Sequence, residues 1–71
     1  MGHPETTSDK KPVTFMPLNE VLGRVGLSRA TVYRMVESGD FPAPVKLSPM
    51  RVAWVEEELE TWMREKMEER Q

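Results

Sequence analysis

The side chains with the most chemistry to offer lie in one stretch: Ser28, Arg29, Ala30, Thr31, Tyr33 and Arg34. Two guanidiniums, two hydroxyls and a phenol at this spacing suit the reading of nucleic acid. Arginine donates two parallel bonds to guanine O6 and N7, and serine or threonine hydroxyls reach base edges or phosphates. Two more cations, Lys46 and Arg51, bracket the short run Ser48-Pro49-Met50 and suit phosphate contacts. Catalytic chemistry has far less to work with. Cysteine is absent, so there is no thiol nucleophile, disulfide or zinc–thiolate site. The single histidine, His3, stands in a polar leader beside Pro4 and is given no role. The carboxylates gather on an acidic stretch that is expected to be solvated, where desolvation cannot raise a pKa for acid–base work. Gly23-Arg24-Val25-Gly26 lacks the preceding strand of a phosphate-cradling loop, and no carboxylates show the loop spacing of a metal site. These residues predict no enzyme, no cofactor and no metal.

Positioning the polar cluster requires a helix. Leu18, Val21, Leu22 and Val25 recur at i, i+3, i+4 and i+7, with Pro17 suited to the start and Gly26 to the stop. After Leu27, Ser28 can cap a second helix running from Arg29 to about Ser38, with Gly39 as its stop. On a wheel of about 100° per residue, Val32, Met35 and Val36 share the inner face, while Ala30, Tyr33, Arg34 and Glu37 point outward. Two short helices joined by a tight glycine-containing turn are the sequence form of a helix-turn-helix, whose second helix offers its first residues to the major groove. Each residue also has a plainer role: Ser28 as a cap only, Tyr33 packed on Phe41, and Arg29 or Arg34 in an ion pair with Glu37 or Asp40.

Pro42 and Pro44 then forbid a helix, and Val45-Lys46-Leu47 and Arg51-Val52-Ala53-Trp54 alternate around the Ser48-Pro49-Met50 turn as a hairpin. A lone hairpin is marginal in water, so its apolar side should pack on the helices. A last helix is expected from Val55, with Val55, Leu59, Trp62, Met63 and Met67 as its stripe, a Glu60–Arg64 pair outside, and fraying from residue 68. The expected core is Leu18, Val21, Leu22, Leu27, Val32, Met35, Val36, Phe41, Val45, Leu47, Trp54, Leu59 and Trp62.

The 71 residues are 38% hydrophobic and 31% charged, enough for one small domain. The net charge of −2 conceals a gradient: residues 19–54 carry five cations against three carboxylates, whereas residues 55–71 carry seven glutamates against three cations. The middle is basic, the tail acidic. No apolar run approaches the roughly 20 residues that cross a bilayer, nor does the start hold a signal's apolar stretch. A cytoplasmic protein without a membrane association is expected.

The string MPLNEVLGRVGLSRATVYRMVESGDFPAPVKL followed by RVAWVEEELETWM resembles the AlpA family of prophage regulators, small relatives of excisionase and MerR-type DNA-binding domains. The likeness rests on Glu20-Val21, Gly26-Leu27-Ser28-Arg29, Thr31-Val32-Tyr33-Arg34, the run from Gly39 to Leu47, Val52-Ala53-Trp54 and the Leu59…Trp62 spacing, over about residues 15–66. It implies a mainly α fold with a small β-hairpin wing, a winged helix-turn-helix, that regulates prophage or mobile-element genes by binding double-stranded DNA. Its excisionase relatives bend DNA and direct recombination, which adds an architectural role beside an integrase as an alternative. The Ser48-Pro49-Met50-Arg51 tip departs from the more glycine-rich tips of many relatives. A third reading, of another class, is a protein-interaction module that docks a partner through Trp62, Met63 and Met67. The expected organisation is a disordered arm over residues 1–14, a DNA-binding domain over 15–67 and a frayed end over 68–71. Self-association on repeated sites is a further expectation.

Overall fold

The computed structural model describes residues 12–70. The expected arm therefore falls mostly outside the described residues, from which residues 12–14 lead into the first element. The order is β1 (Phe15–Pro17), α1 (Leu18–Val25), α2 (Arg29–Ser38), β2 (Val45–Ser48), β3 (Arg51–Val55) and α3 (Glu56–Glu69). Three helices and a small antiparallel sheet make a mainly helical fold, the form of a helix-turn-helix that carries a wing.

Pro17 precedes the first turn of α1 with extended backbone, and its missing N–H costs no helical hydrogen bond. Gly26 closes α1 at φ 72°, its N–H bonded to the Leu22 carbonyl at 2.8 Å; a β-carbon is strained in that conformation. Three residues, Gly26, Leu27 and Ser28, separate the two helices. Ser28 Oγ accepts the Thr31 N–H at 3.2 Å, which caps α2, and Gly39 ends it in the same left-handed conformation as Gly26. The sequence boundaries of α2 are those observed.

The sheet has three strands rather than the two expected, in the order β1-β3-β2. Phe15, Met16 and Pro17 pair with Val55, Trp54 and Ala53, and the Thr14 carbonyl accepts the Glu56 N–H at 2.8 Å. Three residues are too few for alternation to announce a strand, and Pro17 fits because β1 lies on a sheet edge. On the inner face, Met16 and Trp54 are buried and Val52 packs against them. Val21, Val32, Phe41 and Leu59 complete the buried cluster.

Three packing expectations are corrected. Val45 is 38% exposed and Leu47 49% exposed, so neither belongs to the core. Val45 stands in register with Ala53, whose small side chain is itself buried, and Leu47 lies at the irregularity between paired Lys46 and Ser48, on an edge strand exposed along its whole length. Val55 belongs to β3 and not to the helical stripe, and Met67 is exposed. Glu60 faces Arg24, at 3.7 Å, instead of pairing along its own helix with Arg64. At the far end, α3 runs through Glu69.

Both tryptophans fasten the chain that leaves α2. Trp54 Nε1 donates to the Pro42 carbonyl and Trp62 Nε1 to the Asp40 carbonyl, each at 2.7 Å. Phe41, between those two carbonyls, packs edge-on against both indoles, with centroids 6.5 Å from Trp54 and 4.7 Å from Trp62. The direction in which the wing departs is fixed by these contacts.

Candidate nucleic-acid interface

The N-terminal half of α2 presents the polar cluster. Arg29 and Tyr33, four residues apart, share one stripe, and Ala30 and Arg34 share the next. All four are exposed. The small Ala30 between the longer side chains lets a flat surface come close to the helix. Ser28 is occupied by its capping duty: Oγ accepts the Thr31 N–H and donates to Thr31 Oγ1 at 3.0 Å. Ser28 thus acts as positioner of the helix start, and its contact ties the Thr31 hydroxyl to the cap.

Neither Arg29 nor Arg34 forms an ion pair among the described residues. The pairs there are Arg24–Glu56 at 3.5 Å, Arg24–Glu60 at 3.7 Å and Lys66–Glu69 at 3.4 Å. The plainer role considered for the two arginines, pairing with Glu37 or Asp40, is therefore absent. Asp40 instead accepts from Ser38 Oγ at 2.9 Å. Tyr33 packs as well, though on a different ring from the one expected: it meets Trp54 edge-on, not Phe41, and remains 38% exposed.

Helix and wing meet in one open groove of ≈ 410 Å³. Arg29 and Tyr33 line it from α2, Asn19 from α1, and Met50, Arg51 and Val52 from the hairpin. Arg29 and Arg51, distant in sequence, thus flank a single depression. Lys46 does not line it. It pairs with Val52, and successive β3 residues point to opposite faces, so the side chains of Lys46 and Arg51 leave opposite faces of the wing. Arg34 also lies outside the groove, on the adjoining stripe of α2.

Asn19 and Met50 escaped the sequence reading. Asn19 follows the first residue of a helix, where its polarity is unremarked, and an apolar Met50 gives no sign of belonging to a polar site. Their placement depends on the hairpin folding back beside α2, which no local pattern encodes.

A family model described as prophage CP4-57 regulatory protein (AlpA) matches residues 14–67. The chain belongs to the AlpA family. The match runs from the residue before β1 into the last turns of α3, so it contains every residue of the groove. The AlpA chain is also 36% identical over 63 residues to the "Uncharacterized protein ORF88" of Enterobacteria phage P4, covering 89% of this chain and 67% of that protein. It is a phage-associated protein of a regulatory family.

Among the described residues no group of three or more His, Cys, Asp or Glu could hold a metal ion. No helix there is long and apolar enough to cross a membrane. On α3, Trp62 and Met63 pack against the core, which leaves Met67 as the one exposed member of the partner-docking trio.

Proposed function

We propose that this AlpA-family protein regulates transcription by binding duplex DNA at specific sequences, with α2 in the major groove and the wing on the adjoining backbone. The observation that carries this reading is the groove in which Arg29 and Tyr33 of α2 meet Arg51 of the wing. A sugar–phosphate backbone seated there has one helix on its major-groove side and the wing beyond it, with a guanidinium on each flank. Ala30 allows close approach, Arg29 and Arg34 supply bidentate donors for guanine, and the Thr31 hydroxyl reaches a base or phosphate. Arg51 neutralises a phosphate, and Lys46 serves as a second, outlying cation. Net acidity is no obstacle, because the glutamates concentrate on α3 and its neighbouring residues, apart from α2.

The test is selection from a randomised duplex pool at moderate salt. Enrichment of one motif, bound at least a hundredfold or so more tightly than scrambled duplex, is the expected result. Failure to retain any duplex even at low salt contradicts the reading and turns attention to a protein partner.

A further inference from the structure

The apolar tip of the wing is not accounted for by phosphate binding. Pro49 and Met50 form the turn between paired Ser48 and Arg51, and Met50 is 90% exposed. Neither side chain can donate a hydrogen bond or neutralise a charge. Isolated exposed apolar residues are ordinary on protein surfaces. Met50 is distinguished by its placement, since it lines the same groove as Arg29, Asn19 and Arg51.

We propose that Met50 is a wedge that enters the minor groove of the bound duplex and partly unstacks a base step there, bending the DNA. The proposal rests on the DNA-binding reading above. With a backbone seated between α2 and the wing, the major groove lies on the α2 side and the minor groove on the side of the tip. Sugar faces wall the minor groove, and Met and Pro are among the side chains that insert between its base steps. Arg51 beside the tip matches the phosphate that such an insertion brings close. Pro49 restricts the turn's backbone, and the ladder closes directly on both sides of it, so the tip is braced for insertion. The unstacking cost is smallest at flexible pyrimidine–purine steps. Met50 therefore contributes sequence preference at a step that α2 does not touch.

The experiment uses the full chain with duplexes selected from the randomised pool. Bending is read by energy transfer between end labels, and unstacking by 2-aminopurine placed at successive positions. Met50→Ala and Met50→Lys alter a solvent-facing turn, and a melt of each verifies that the fold is kept. The wild type is expected to bend its duplex by roughly 20–90° and to brighten 2-aminopurine at one step outside the α2 contacts. Met50→Ala should lose most of the bend and roughly tenfold in affinity, with the salt dependence unchanged. Met50→Lys should not restore the bend. An equal bend by Met50→Ala overturns the wedge alone. So does a Met50→Lys variant that binds more tightly with a steeper salt slope, because the tip then faces phosphate. Self-association of the wild type that Met50→Ala abolishes, with bending intact, reassigns the tip to contact between copies. A wild type that binds no duplex at low salt overturns the underlying reading and the wedge with it.

Discussion

Tyr33 stands edge-on to Trp54, ring centroids 6.1 Å apart and planes inclined by 63°. One ring belongs to α2, the other to the central strand of the sheet that carries the wing. Trp54 is fully buried and also holds the Pro42 carbonyl. A single side chain thus ties α2, the chain leaving it and the wing into one piece. The backbone of α2 is thereby held in a fixed relation to the wing, which on the proposed reading lowers the ordering cost of binding a duplex.

Trp54 should accordingly dominate stability. Trp54→Ala is expected to cost about 3–5 kcal/mol, enough to unfold much of so small a domain. Trp62→Ala, at a half-buried position, should cost about 2 kcal/mol. Urea unfolding followed by circular dichroism ranks the two, and a Trp62 variant less stable than the Trp54 variant would reverse the hierarchy described here.

Gly23 offers a gain. It lies within α1, its φ is not in the left-handed region, and a β-carbon built on it meets nothing within 4 Å. Gly23→Ala should stabilise the fold by about 0.5–1 kcal/mol through helix propensity and a less flexible unfolded chain. A melting temperature that falls instead would show that α1 is not a regular helix at that point.

Arg24 separates structural cations from binding ones. Its guanidinium faces Glu56 and Glu60, and its side chain is partly exposed, so the ion pairs contribute at most about 1 kcal/mol. Arg24→Gln should leave affinity for the selected duplex within roughly twofold, since its charge is already balanced. A tenfold loss in a binding titration would place α1 on the DNA as well.

The wing cations should differ. Arg51→Ala is expected to lower the magnitude of the salt slope by about one unit, on specific and random duplex alike. Lys46→Ala, on the opposite face of the hairpin, should change it less. Titrations across a salt series measure both, and equal effects would mean that the duplex reaches round both faces of the wing.

Much of this architecture was legible in the residues. Spacing and caps placed α1 and α2, because Gly26, Ser28 and Gly39 act locally on adjacent backbone groups. The hairpin was legible from two alternating runs and a proline-containing turn. Legibility ended where the outcome depended on partners distant in the chain. β1 exists only because β3 is there to pair with it, and Val45 and Leu47 alternate as core residues do yet lie on an edge strand. For the site, the α2 cluster could be read from a helical wheel. The groove shared with Met50, Arg51 and Asn19 could not, because it is made by tertiary return of the hairpin.

The central claim is that α2 reads base edges, and the most direct measurement is the ratio of affinities for selected and scrambled duplexes at one fixed salt concentration. Arg29→Ala, Arg34→Ala and the double variant are titrated against both. Loss of a base-reading arginine should cost about 1–3 kcal/mol on the selected duplex and less on the scrambled one, so the ratio falls for at least one single variant and furthest for the double. Parallel losses on both duplexes, with the parental ratio retained in all three variants, would contradict base reading by α2 and leave it a phosphate-binding helix.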